Sequence, residues 1–298
     1  MSIEPPVTSP RTLAAAYALL AGAARDGEPA RNVEPARAIQ PLAGGTDLMV
    51  ALTGELGEPP TSVLDLWAID GLRGISLDDD TLTLGALTTY TDIRNSPACR
   101  EHLPALAEAA ATIGAAQIQH RGTLGGNAAN ASPAGDTLPI LLAADATLVL
   151  GSVRGQRDVA AADFWTGYRQ TALAPDELIV RIAFPLRPRR EMRFRKVGTR
   201  RAQSISKVVM AAAWRDGTTG VWRDVRVALG SVAATPIRAR RTEAVLEGMA
   251  PTPEQADRAA ETLAAELEPI DDVRSTAEYR RIVSARILHR IVRDAGGW

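Results

Sequence analysis

The chain has 298 residues, 46% hydrophobic and 23% charged, and its 34 basic residues against 35 acidic ones leave a formal net charge of -1. That composition suits a globular chain with a large core, long enough for two domains at ~100–200 residues each, and it excludes wholesale disorder. The balanced charge offers no field to attract nucleic acid or an anionic membrane, and one cysteine, Cys99, with three scattered histidines, His102, His120 and His289, supplies neither a disulfide nor the ligands of a metal cluster.

Met1 to Pro10 carries prolines and an acid where a secretion signal needs basic and then apolar residues, and no apolar run approaches ~18 residues, so a cytoplasmic location without membrane contact is expected. Arg11 to Ala24 predicts a helix with Leu13, Tyr17, Leu20 and Ala24 on one side, Ser9 as N-cap and Pro10 at its first position. A breaker-rich stretch, Pro29 to Pro35, leads to a short strand, Ile39 to Leu42, that runs into the turn Ala43-Gly44-Gly45-Thr46-Asp47-Leu48. Ser62 to Leu66 and Thr81 to Ala86 read as strands of one αβ layer system.

Pro104 to Thr112 has helical composition, and the polar Gln117 to Arg121 introduces a second glycine loop, Gly122-Thr123-Leu124-Gly125-Gly126-Asn127. An apolar segment, Leu138 to Ala144, precedes a strand, Ala146 to Leu150, and the basic, proline-bearing Pro185 to Arg190 marks a domain boundary. Beyond it, Met192 to Val197, Val208 to Trp214 and Val225 to Leu229 read as strands, with Asp216-Gly217 as a hairpin signal. Glu254 to Leu267 and Thr276 to Val292 are helices, the second stopping at Gly296-Gly297. No repeat of 20 to 50 residues is visible.

The two glycine turns are the chemical signal. Glycines let backbone N–H groups converge on an anion at close range, and neither a G-x-x-x-x-G-K-[ST] loop nor a G-x-G-x-x-G helix opening is present. Either turn alone is most simply a tight turn; two in one domain suit a pyrophosphate held from both sides, as in a dinucleotide cofactor.

Ala43 to Leu48 together with Gly122-Thr123-Leu124-Gly125-Gly126-Asn127-Ala128-Ala129-Asn130-Ala131-Ser132-Pro133-Ala134-Gly135-Asp136-Thr137-Leu138-Pro139 resembles the FAD-binding medium subunit of the molybdenum hydroxylases, which include bacterial xanthine, carbon monoxide and aldehyde dehydrogenases. Phe194 to Arg201 is similar to the segment that opens the second domain there. The resemblance implies an α+β chain: a two-lobed FAD-binding domain of the vanillyl-alcohol-oxidase (PCMH) type over residues 1–186, with lobes of about 1–66 and 67–186, then a smaller αβ domain of the CO dehydrogenase flavoprotein C-terminal type over 191–298. It implies that Leu42, Ala43, Gly44, Gly45, Thr46, Asp47, Leu48, Thr123, Gly125, Gly126 and Asn127 hold the pyrophosphate, that Asn130 and Asp136 contact phosphate or ribose, and that Ile179 and Lys196 lie by the flavin. The molybdenum cofactor and [2Fe-2S] clusters would belong to a large and a small partner subunit, in a dimer of heterotrimers that passes electrons to NAD+, oxygen or another acceptor.

Within that frame, the Asp47 carboxylate would repel a pyrophosphate, so its side chain is expected to turn away and cap the local backbone. Lys196 is one of only two lysines, and an ammonium beside a flavin stabilises negative charge on the reduced ring. Gln119-His120-Arg121 departs from the Arg-Asn common in relatives. His120 reads as a satisfied loop residue and Cys99 as an inert side chain near a helix start. Arg187, Arg189, Arg190, Arg193 and Arg195 form a basic run, which is either a solvated face or a contact surface. Two rivals remain at this point: a stand-alone flavin oxidase or dehydrogenase, and a flavin-free regulatory ligand-binding protein.

Overall fold

A computed structural model describes residues 5–26, 39–53, 60–200, 203–217 and 220–298. The Pro29 to Pro35 stretch and Arg201 lie outside the described residues. Three short parallel strands form the first sheet, with Val63–Asp65 between Val7–Thr8 and Gln40–Leu42. The helix Leu13–Asp26 buries Ala16 and Leu20 in the adjoining core. It starts three residues later than a Ser9 cap would place it: Thr12 Oγ1 accepts the Ala15 N–H at 3.2 Å, while the Ser9 hydroxyl donates to Asp65 on the neighbouring strand at 3.4 Å. The tertiary carboxylate outcompetes the local cap.

Five antiparallel strands form the second sheet in the order Ile75–Asp78, Thr81–Gly85, Leu178–Pro185, Thr147–Ser152, Gly155–Ala160. Ser62 to Leu66 and Thr81 to Ala86 therefore belong to different sheets, and the segment containing the 3-10 turn Asp70–Leu72 carries the chain between them. Leu82, Leu84, Leu148, Leu150, Ile182 and Phe184 are buried from alternate positions of three neighbouring strands, as period-two patterning requires. The helix Pro104–Thr112 covers this core, and Cys99 is buried on the helix Pro97–His102, where burial pushes its thiol up.

The third sheet is antiparallel, ordered Arg190–Val197, Val208–Asp216, Trp222–Gly230, Ile237–Arg238, and is followed by helices Arg240–Leu246, Pro253–Glu266 and Ala277–Gly296. Thr276 caps the last helix through the Tyr279 N–H, and Gly297 ends it in the left-handed conformation. Val208–Asp216 is buried on both faces. Val208, Met210, Ala212 and Trp214 join the core under the helices, whereas Val209, Ala211 and Ala213 join the core of the first 186 residues, together with Phe194 and Ala228.

One ion cluster seals the junction. Asp145, in left-handed conformation after the helix Leu138–Ala143, accepts from Arg190, Arg226 and Arg238 at 3.0, 3.1 and 3.3 Å, and Asp224 takes Arg190 at 2.9 Å and Arg226 at 2.6 Å. The guanidiniums outweigh burial and hold the Asp145 carboxyl below its usual range. The basic run is thus no single face: the Arg190 side chain is 8% exposed inside this cluster, while Arg193 and Arg195 pair at the surface with Glu191 and Glu108. Among the described residues, no helix is long and apolar enough to cross a membrane.

Candidate functional site

The two glycine turns lie against each other. A Cβ on Gly44 would sit 1.9 Å from the Arg121 carbonyl oxygen, and one on Gly126 would lie 3.5 Å from Ala43 Cβ. Gly45 has φ +79°, open to glycine at little cost. The second turn is less a loop than a helix start: Leu124–Asn130 is helical, with Thr123 Oγ1 accepting the Gly126 N–H at 3.0 Å. Its early N–H groups are already used, Leu124 on Thr88 O, Gly125 on Ala86 O and Asn127 on Thr123 O, each at 3.0 Å. Gly125 is required because a Cβ there would stand 2.7 Å from the Ala86 carbonyl. In the first turn, by contrast, the N–H groups of Gly44, Gly45 and Thr46 have no acceptor among the described residues.

Side chains brace this junction from both sides. Arg121 stacks its guanidinium 3.7 Å from the Trp67 ring centroid, with Nε 3.5 Å from Gly44 O. Arg73 also lies over Trp67, at 4.3 Å, and donates to its carbonyl at 2.7 Å. The other two residues of the departing tripeptide have protein partners: buried Gln119 accepts from Arg94 and donates to Ala111 O and Ile113 O, and His120 meets Thr91 Oγ1 at 3.0 Å.

The Asp47 carboxylate takes its hydrogen bond from a side chain and not from its own backbone. Asn130 Nδ2 donates to Asp47 Oδ1 at 3.0 Å, and Arg169 donates to Asn130 Oδ1 at 3.1 Å. An amide on the facing helix is the nearer donor, so the expected local cap does not form. Burial pushes the Asp47 carboxyl up, with Arg169 and the Asn130 amide pulling the other way. Asn127 Oδ1 accepts the Thr137 hydroxyl at 2.6 Å.

Asp136 and Lys196 form a pair 2.6 Å apart, with side chains 8% and 9% exposed. Ser206 donates to the other Asp136 oxygen at 2.5 Å, and Lys196 Nζ also donates to Thr112 O at 3.2 Å. Burial is the largest influence on Asp136 and drives its carboxyl up against the opposing pull of Lys196 and Ser206. Ile179 is buried opposite Leu150 on the central strand, next to Val180, whose carbonyl accepts the Ala86 N–H at 2.9 Å.

Sequence reasoning missed Tyr90, Trp67 and Ser206. Tyr90 is buried with its ring against Gly122, and burial, with the carboxylates of Asp47 and Asp136 adding to it, pushes its hydroxyl up. The Thr89–Asp92 capping box that seats it is legible as T-x-x-D; Ser206 has no local signal.

Comparison with known families agrees with this layout. A model described as the FAD binding domain in molybdopterin dehydrogenase matches residues 2–187, and one for the CO dehydrogenase flavoprotein C-terminal domain matches 193–295. The chain belongs to the FAD-binding medium-subunit family of the molybdenum hydroxylases. It is 33% identical over 256 residues to the nicotine 6-hydroxylase medium subunit of Paenarthrobacter nicotinovorans, covering 86% of this chain and 89% of that one. Against the carbon monoxide dehydrogenase medium chain of Hydrogenophaga pseudoflava it is 33% identical over 259 residues, covering 85% and 88%. Among solved structures, reconstituted CO dehydrogenase from Oligotropha carboxidovorans superposes with a TM-score of 0.90 at 29% identity, covering 100% of this chain and 99% of that one. Carbon monoxide dehydrogenase from Hydrogenophaga pseudoflava gives 0.89 at 30% identity, covering 97% and 96%. This medium-subunit-type chain is accordingly an oxidoreductase subunit with an FAD-binding domain followed by a flavoprotein C-terminal domain.

Its residues fit that cofactor. The turn at Gly44 offers three N–H donors with no acceptor among the described residues, which is what a diphosphate needs. The Asp47 and Asp136 carboxylates are both engaged by protein donors.

Proposed function

We propose that this chain is the electron-transfer flavoprotein of a heteromeric molybdenum hydroxylase. Electrons would reach it from [2Fe-2S] clusters on a small iron–sulfur subunit, after substrate oxidation at the molybdenum cofactor of a large subunit, and leave to NAD+, oxygen or another acceptor. A cytoplasmic dimer of heterotrimers is the assembly this reading favours. The observation that carries it is the meeting of two glycine turns, with the Gly44, Gly45 and Thr46 N–H groups lacking an acceptor among the described residues.

FAD, when bound, supplies the redox chemistry, accepting electrons singly or in pairs. The residues of this chain bind and orient it. Leu42 to Leu48 would take the pyrophosphate through backbone N–H groups, with Thr123, Gly125, Gly126 and Asn127 closing the second side. Asn127 is held in one orientation by Thr137, and Asn130 by Asp47 and Arg169. Asp136 keeps acceptor capacity for ribose hydroxyls beyond its two protein donors, Ile179 offers an apolar wall, and the Lys196 ammonium is suited to negative charge developing on a reduced ring.

Purification of the full chain tests the reading. About one FAD per chain should be released by acid precipitation without a covalent remnant, and the chain alone should at most pass electrons slowly from NADH to an artificial dye and hydroxylate nothing. A colourless chain that cannot be reconstituted with FAD, or substrate hydroxylation by the single chain, would refute it.

A further inference from the structure

Asp136 and Lys196 come from different units of the fold, and what aligns them is a buried chain of donors running inward from the C-terminal helices. At its outer end Asp272 Oδ1 accepts from Arg280 Nη2 at 2.7 Å. Arg280 Nη1 donates to the carbonyl of Ser231. Ser231 holds φ +65°, an unfavourable conformation for a residue with a side chain, and is fixed there by three contacts: Arg280 on its carbonyl, its N–H on Pro133 O at 2.7 Å, and its hydroxyl on Ser206 O at 2.9 Å. Ser206, 1% exposed, then donates its hydroxyl to Asp136 Oδ1 at 2.5 Å. Pro133 precedes Asp136 by three residues, so Ser231 anchors the Asp136 loop through its backbone while Ser206 fixes the carboxylate.

The consequence falls on Lys196. An ammonium has three N–H donors. Two are taken by Asp136 Oδ2 and Thr112 O, and the third has no acceptor among the described residues although the side chain is only 9% exposed. A carboxylate free to rotate would let the ammonium turn with it; one pinned at Oδ1 fixes where the third N–H points.

We propose that Ser206 is a positioning residue of the cofactor site, held by the Arg280–Ser231 link, and that it orients Asp136 so that the third N–H of Lys196 is presented to an acceptor atom of the bound FAD. This rests on the FAD reading above. Ser206 touches no cofactor in this scheme; it acts through Asp136, and the Arg280–Asp272 pair acts through Ser206.

FAD binding to the purified full chain, followed by flavin fluorescence, tests this together with the flavin midpoint potential. Ser206→Ala removes one oxygen and little volume. It should raise the FAD dissociation constant about five- to thirtyfold, less than the about ten- to hundredfold of a direct hydrogen bond to a charged group because Ser206 acts through Asp136, and shift the potential. In an Asp136→Asn background the same substitution should change affinity less than about twofold, because coupled residues do not add. Asp272→Asn, at the partly exposed outer end, should move affinity in the same direction by a smaller factor, and it serves should Ser206→Ala prove unstable. Parent-like affinity and potential in Ser206→Ala, or in Asp272→Asn where that is the variant that folds, would overturn the proposal. So would a full Ser206→Ala penalty persisting beside Asp136→Asn, which would make Ser206 a packing residue. A parent chain that takes no FAD defeats the underlying reading instead, and is distinguished by its lack of flavin absorbance.

Discussion

Gly44→Ala tests the meeting of the two turns most directly. Its Cβ would have to retreat from 1.9 Å to at least 3.0 Å from the Arg121 carbonyl oxygen, a displacement of about 1.1 Å shared by two backbones that cannot rotate out of the way. Overpacking of this kind costs about 1–3 kcal/mol in stability. The effect on cofactor should be larger, since an N–H moved by about 1 Å from a typical ~2.9 Å contact no longer makes a hydrogen bond. Losing even one bond to a charged phosphate oxygen corresponds to about ten- to hundredfold in affinity. Gly22→Ala is the control: it lies in the helix Leu13–Asp26 with nothing within 4 Å of the new Cβ, and should stabilise the chain by about 0.5–1 kcal/mol with FAD affinity unchanged. FAD titration and urea unfolding, run on both variants, give the two numbers needed. Affinity of Gly44→Ala within twofold of the parent would refute the packing of the turns described above.

The Asp145 cluster gives a pH signature. Its folded carboxyl lies below the unfolded value, so its contribution is present above the ordinary carboxylate range and is lost as pH falls through the folded value. Urea midpoints should decline with acidification below about pH 4 in the parent and more shallowly in Asp145→Asn; parallel declines would remove Asp145 as a source. Trp67→Leu should release Arg121 and Arg73 from one ring, each stacking contact being worth about 0.5–1 kcal/mol, and weaken FAD binding about three- to tenfold in fluorescence titration. Unchanged affinity would show that Arg121 holds Gly44 without the indole.

Much of the fold was legible because local and tertiary preferences agreed. Pro104–Thr112 begins on its proline and ends where expected, and the last helix starts at the Thr276 cap and stops at glycine. Leu178–Pro185 escaped because its first three residues are buried without alternation and Arg181 interrupts the apolar run, and Gly155–Ala160 because its residues are mostly exposed and are strand only by pairing with Thr147–Ser152. The glycine turns were visible as motifs, but their roles were not equal: Gly125 of the second packs against Ala86, while the N–H groups of the first have no acceptor among the described residues. Ser206 could not be read at all, since its partners stand at 136 and 231 and only folding brings them together.

The sheet that is buried on both faces has a mechanical consequence. Phe194, Val209, Ala211, Ala213 and Ala228 stand on the sheet of the second unit yet belong to the first unit's core, so the halves could not hinge or slide apart without opening water-filled gaps. A nick in the connecting Pro185–Arg190 segment would leave two fragments still clasped together. The C-terminal helices therefore stand at a fixed range and bearing from the glycine turns, and whatever grips those helices is held in register with the cofactor site through solid protein.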